Sequence, residues 1–127
     1  MAHHQPYRLG DLQLQIMQVL WESGPATVAE VQAKLEGGPL AYTTVATMLR
    51  KMETRKLVRH RAEGRRFFYE PIVDADEVTR SMATDLVDRL FGGSLADAMS
   101  HLLETHEVSR RELARLEQLI DERLRRT

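Results

Sequence analysis

Between Ala41 and Pro71 the side chains able to do chemistry are hydroxyls and guanidinium groups, with few acids and no thiols among them. Val45, Met48, Leu49 and Met52 repeat at i, i+3, i+4 and i+7, the stripe of a helix that buries one side. Thr43, Thr44, Thr47, Arg50 and Lys51 fall on the other side. Short hydroxyls can bond to phosphate oxygens or base edges and offer a methyl to thymine, while Arg and Lys neutralise phosphates. Directly after the helix come two runs rich in branched and aromatic residues, Leu57 to Arg61 and Arg65 to Tyr69, with Ala62-Glu63-Gly64 as the expected turn. Arg59, Arg61, Arg65 and Arg66 stand on that hairpin. The chemistry on offer is recognition of a polyanion by a helix and a basic wing.

Catalytic constellations do not assemble from this sequence. Asp85 and Asp88 are three apart, but Arg89 is adjacent and no histidine or further acid is fixed beside them, so a solvated face is expected. His101 and His106 differ by five rather than the four that aligns two ligands on one helix. The chain has no cysteine, which excludes disulfides, thiolate metal sites and cysteine nucleophiles. There is no Gly-rich phosphate loop, nucleophile elbow or Ser/His/Asp grouping. The expectation is a protein that is not an enzyme and that needs no metal and no cofactor. His3-His4 near the start is set aside as neither ligand nor catalyst.

At 127 residues the chain suits one domain plus an assembly element, and charge supports that division. From Tyr42 to Tyr69 the cations Arg50, Lys51, Arg55, Lys56, Arg59, Arg61, Arg65 and Arg66 face only Glu53 and Glu63, although the whole chain carries a net charge of −1. The balancing acids lie mostly after Asp74. Such asymmetry concentrates a polyanion-binding field on one part of the molecule. No apolar run approaches the roughly 20 residues needed to span a bilayer, and the first residues lack the basic-then-apolar order of a signal peptide. A cytoplasmic location without direct membrane insertion is expected.

The elements that must position the basic segment can be read on either side of it. Asp11 is a candidate N-cap for a first helix carrying Leu12, Ile16, Val19 and Leu20, stopped by Gly24-Pro25. Thr27-Val28-Ala29-Glu30 is a capping box opening a second helix with Val28, Val31 and Leu35 inward, broken by Gly37-Gly38-Pro39. Trp21, Tyr7 and the aromatic run Phe67, Phe68 and Tyr69 are expected to be packing residues. A helix-turn-helix with a wing over residues 7–74 follows. After it the pattern is purely helical. Val78, Met82, Leu86 and Leu90 are spaced by four, Gly92-Gly93 interrupts, and Ser94 with Asp97 caps a short helix. Ser109 to Glu112 is a second capping box, opening a helix with the narrow stripe Leu113, Leu116, Ile120 and Leu124. Helices with one apolar stripe find a partner most economically in a second copy, so residues 75–127 are expected to be a helical dimerisation region. The fold class is mainly α with a small β-wing.

Leu9-Gly10-Asp11-Leu12, Val19-Leu20-Trp21, Ala41-Tyr42-Thr43-Thr44-Val45, Leu57-Val58-Arg59, Gly64-Arg65, Tyr69 and Leu90-Phe91-Gly92-Gly93 occur in an order that resembles the penicillinase repressor family, the BlaI/MecI type, over nearly the whole chain. The resemblance implies a homodimeric winged-helix repressor of transcription that binds double-stranded, inverted-repeat operators with TACA and TGTA half-sites. It implies Ala41, Tyr42, Thr43, Thr44, Thr47, Arg50 and Lys51 as groove-facing residues, with Arg65 and Arg66 in the wing. It also implies a membrane sensor-protease pathway upstream. In the beta-lactam branch a protease cuts at an Asn-Phe bond in the dimerisation region; the matching positions here are His101-Leu102, which do not carry that pair. The copper-responsive branch relies on Cys-x-Cys pairs, which a cysteine-free chain cannot supply. From the residues alone, one competing class stays open: a winged helix that docks a partner protein through the same arginines, without specific DNA binding.

Overall fold

The computed structural model describes residues 7–37 and 40–127; His3-His4 and the Gly38-Pro39 part of the expected helix break lie outside the described residues. Among the described residues the order is α1 (Asp11–Ser23), α2 (Val28–Lys34), α3 (Tyr42–Thr54), β1 (Val58–Glu63), β2 (Arg66–Pro71), α4 (Ala75–Phe91), α5 (Leu95–Thr105) and α6 (Arg110–Arg126). The chain is thus mainly helical, with β1 and β2 pairing as one antiparallel hairpin. It divides into two compact units, with the boundary inside α4 after Ala83.

In the first unit, α1, α2 and α3 close around Ile16, Met17, Leu20, Val31, Val45, Leu49 and Met52, with Leu57, Val58 and Tyr69 contributed from the hairpin end. Each such apolar side chain taken from water stabilises the unit by roughly 1.5–3 kcal/mol before the entropy of ordering is subtracted. Thr27 caps α2 as its sequence predicts. Its hydroxyl accepts the Glu30 N–H at 3.2 Å, and its own N–H is donated to Glu30 Oε1 at 2.9 Å. The start of α1 differs from expectation. Gly10 is the N-cap, and its N–H is donated to Gln13 Oε1 at 3.4 Å. Asp11 is the first helical residue, where its charge suits the positive end of the helix dipole.

The hairpin also corrects its predicted turn. Glu63 pairs with Arg66, so the strands run further than expected and the turn is Gly64-Arg65. Gly64 takes a φ of 62° at the first central position, the left-handed conformation that a tight hairpin asks of that residue. At the base, Ala26 bridges Tyr69 through two backbone bonds of 3.0 and 2.8 Å, tying the hairpin to the chain before α2.

The boundary expected after Asp74 falls too early. Val78, assigned from sequence to the dimerisation stripe, is 1% exposed and belongs to the core of the first unit, with Met82 packed half-buried against it. Tyr7 reinforces this segment, donating its N–H to Ser81 Oγ at 2.9 Å and its hydroxyl to Glu77 at 3.1 Å. Burial, followed by the Glu77 bond and charge, raises the Tyr7 phenol above its ordinary value. Trp21 Nε1 donates to the Val73 carbonyl at 3.0 Å. The beginning of α4 is therefore consumed within the first unit.

The second unit is built differently. Gly92-Gly93 ends α4, and Ser94 Oγ accepts the Asp97 N–H at 3.0 Å to start α5. Ser109 Oγ accepts the Glu112 N–H at 3.1 Å to start α6. Ala98 is the one buried hydrophobic described there, and α6 buries nothing.

Candidate nucleic-acid interface

Helix α3 is held by its inner face and leaves its outer face free. Val45, Ala46, Leu49 and Met52 are buried, whereas Ala41 at the N-cap and Tyr42, Thr43, Thr44, Thr47, Arg50 and Lys51 are exposed. Arg50 Nη2 donates to Thr47 Oγ1 at 3.3 Å, which aligns a guanidinium with a hydroxyl one turn earlier. Tyr42, at 53% exposure, begins the helix with its ring in solvent.

The hairpin has two unlike faces, as strand alternation requires. On one, Arg59, Arg61 and Glu63 oppose Glu70, Phe68 and Arg66. Arg59 Nε donates to Glu70 at 2.9 Å and Arg61 pairs with Glu63. The guanidinium carbons of Arg61 and Arg66 stand 5.6 and 5.2 Å from the Phe68 ring centre, one cation from each strand. On the other face, His60 and Ala62 oppose Tyr69 and Phe67. Tyr69 is core as expected, but Phe67 is 55% exposed. The aromatic run is therefore not a single packing unit.

Between α3 and the hairpin runs an open groove of about 350 Å³, lined by Arg50, Arg65 and Arg66, by Tyr42, Phe67 and Tyr69, and by the start of α2. Burial raises the Tyr69 phenol above its ordinary value, and the Glu53 charge adds to this while Arg50 opposes it. Glu30, at the α2 end, is held below the usual carboxylate range by the Thr27 backbone N–H, then by the Thr27 hydroxyl, with the Arg66 charge contributing. A lining of guanidinium groups and aromatic rings suits a nucleic-acid strand, which offers phosphates to the cations and sugars to the rings. Of the sequence-predicted residues, the groove gathers Tyr42, Arg50, Arg65 and Arg66. Thr43, Thr44, Thr47 and Lys51 lie on the exposed surface of α3 outside it. Phe67 and Thr27 are groove residues that the sequence reading treated as packing and as a cap.

The other candidates belong to the second unit. Leu86, Leu90, Leu113, Ile120 and Leu124 are exposed, and Leu116 is half-buried. His101 and Leu102 are exposed inside α5, with the His101 ring 5.9 Å from Phe91 and the Leu102 carbonyl accepting the His106 N–H at 3.1 Å. A protease that binds extended chain would have to unwind that helix first. Asp85 accepts from Arg89 at 3.3 Å along the helix. Among the described residues no group of three or more His, Asp or Glu side chains is placed to hold a metal ion, and no helix is long and apolar enough to cross a membrane.

Comparison with known proteins agrees with this architecture. A MarR family protein from Bacillus stearothermophilus shares the fold, with a TM-score of 0.51 at 23% identity, covering 91% of this chain and 77% of that one. The transcriptional regulator BlaI of Mycobacterium tuberculosis is 35% identical over 118 residues, 87% of this chain and 86% of the relative. The penicillinase repressor of Bacillus licheniformis is 26% identical over 116 residues, 91% of each. The family model described as penicillinase repressor matches residues 9–122, and on that span the chain belongs to the penicillinase repressor family of transcriptional repressors, which are not enzymes.

Proposed function

We propose that the protein represses transcription by occupying an inverted-repeat operator of the TACA/TGTA type as a homodimer, with one winged unit on each half-site. In this reading Thr43, Thr44 and Thr47, with Ala41 and Tyr42, meet base edges in the major groove. Arg50, Lys51, Arg65 and Arg66 take phosphates. The second unit supplies the dimer contact through Leu86, Leu90, Leu113, Leu116, Ile120 and Leu124. The observation that supports the reading is the groove between α3 and the hairpin, which is lined by cations from both elements, Arg50 from α3 and Arg65 and Arg66 from the hairpin. Release from DNA is assigned to the second unit, because weakening the tether between half-sites empties an operator without altering the winged unit.

Titration of the protein with random-sequence duplex DNA at several salt concentrations tests the binding mode. Repressor-type binding falls steeply with salt, since each phosphate contact releases counterion and adds about 0.9 to the slope of log K against log salt. A winged helix that docks a partner protein gives little binding and no such slope. That outcome would remove the reading.

A further inference from the structure

We propose that Glu53 and His60 are positioning residues for DNA binding, a clasp between α3 and the hairpin that sets where the wing arginines stand; this rests on the operator-binding reading above. Glu53 lies in the last turn of α3. Its Oε2 accepts the backbone N–H of His60 at 3.1 Å, and both of its carboxylate oxygens lie 2.8 Å from Nδ1 of the same residue. An ionised carboxylate only accepts, so the hydrogen sits on Nδ1 and the ring donates. The imidazole is also packed, its ring centre 4.9 Å from that of Phe67 and 5.5 Å from that of Tyr69. One carboxylate thus fixes the backbone and side chain of β1, and through the ring it steadies β2.

The position of this clasp along the hairpin gives it leverage. On the base side, Leu57, Val58 and Tyr69 are buried and cannot shift. On the tip side, residues 61–67 are all exposed, and they include Arg65, Arg66 and Phe67. Among the described residues, His60 makes the side-chain hydrogen bonds that join α3 to the hairpin. At about 3.3 Å of rise per residue the tip lies roughly 13 Å beyond this rung, so a tilt of about 10° there would carry the turn about 2 Å. A phosphate hydrogen bond does not survive such a displacement. Both partners are about one-third exposed, which makes the pair a weak contributor to global stability and leaves geometry as its main effect.

The test uses the full chain and a fluorescent random-sequence duplex, with affinity, salt slope and melting temperature measured for each variant. Glu53→Ala and His60→Ala are expected to weaken binding about three- to tenfold and to flatten the salt slope by about one to two, while the melting temperature changes little. His60→Asn, which places an amide N–H near the Nδ1 position, should restore most of the affinity. With Arg65→Ala and Arg66→Ala already present, Glu53→Ala should add no further loss, because the clasp acts through those arginines. Unchanged affinity and slope in Glu53→Ala would overturn the proposal, as would a loss fully additive with the arginine changes. So would a large fall in melting temperature at unchanged slope. A wild-type protein without salt-dependent binding would bring down the DNA reading and the clasp together, whereas normal wild-type binding with inert clasp variants would bring down the clasp alone.

Discussion

The first unit buries its apolar residues and the second displays them. Ile16, Met17, Val31, Val45, Leu49, Met52 and Val58 are fully enclosed, yet Ile120 and Leu124 of α6 are 60% and 68% exposed. Both regions have helices of comparable quality, with side-chain caps at Thr27, Ser94 and Ser109. Helix formation and burial are therefore separate achievements here. The winged unit can stand on its own core and present a fixed surface, whereas α5 and α6 are helices still waiting for an apolar neighbour. In the proposed reading, this division gives recognition to one half of the chain and assembly to the other.

The sharpest way to break that comparison is to remove the second unit. A chain ending at Ala83 should fold, sediment as a monomer and bind a full operator about 10²- to 10⁴-fold more weakly, because the two half-sites lose their tether. A chain ending at Asp74 should fare worse in stability, since it discards Val78 and the Ser81 and Glu77 partners of Tyr7. Sedimentation and thermal melts of the two truncations check both statements. A dimeric 1–83 chain would show that the interface lies in the winged unit instead.

Single substitutions draw the same contrast at smaller scale. Leu49→Ala empties a fully buried site and should cost about 2–5 kcal/mol in denaturant unfolding, independent of protein concentration. Ile120→Asp or Leu124→Asp places a charge on a surface that is exposed in the single chain, so the isolated monomer should lose almost nothing. Its dimer should instead dissociate, and its melting temperature should cease to rise with concentration. If Ile120→Asp behaves like Leu49→Ala, the second unit has a core of its own.

Within the winged unit, reading and positioning should separate. Thr44→Ala or Thr47→Ala is expected to cost about 1–3 kcal/mol on the operator and little on random duplex, while Arg65→Ala and Arg66→Ala weaken both and reduce the salt slope by about one per contact. Competition binding with the two DNAs measures the ratio. An unchanged ratio in the threonine variants would move base reading away from this face of α3.

Much of the fold was legible because it is written in local patterns. The Thr27-Glu30 box, the Val45-Met52 stripe and the Gly92-Gly93 stop each depend on residues within a few positions of one another. The misreadings share a physical cause. Gly10 caps α1 with its backbone alone, so a rule that looks for side-chain oxygens passes over it to Asp11. Val78 continues the four-residue spacing of Met82, Leu86 and Leu90, and periodicity cannot tell which members of a stripe are buried in the core and which stay exposed. Phe67 and Tyr69 share a strand face and both line the groove, yet Phe67 is largely exposed and Tyr69 is buried in the core. The Glu53–His60 pair spans a helix end and a strand start, so no single periodicity runs from one partner to the other.

The smallest predicted effect lies at that same junction. Helix α3 ends with Leu57 N–H donated to the Met52 carbonyl at 2.9 Å and Lys56 N–H donated to the Glu53 carbonyl at 3.0 Å. These two bonds form a Schellman closure, with Met52 and Leu57 both buried as its apolar contact. The closure needs a left-handed residue, and here Lys56 takes it with a φ of 63°. A side chain in that conformation costs roughly 1–2 kcal/mol, which glycine would avoid, although glycine gives back part of the gain through its freer unfolded chain. Lys56 also offers a positive charge to the negative end of the helix, worth about 0.3–1 kcal/mol. The balance predicts that Lys56→Gly stabilises the winged unit by about 0.5 kcal/mol, whereas Lys56→Ala, which keeps the strain and loses the charge, destabilises it slightly. Denaturant unfolding of both variants in the 1–83 chain, where no dimer contributes, decides between them. Equal stability of the Gly and Ala variants would mean that the strain at this turn is not what limits it.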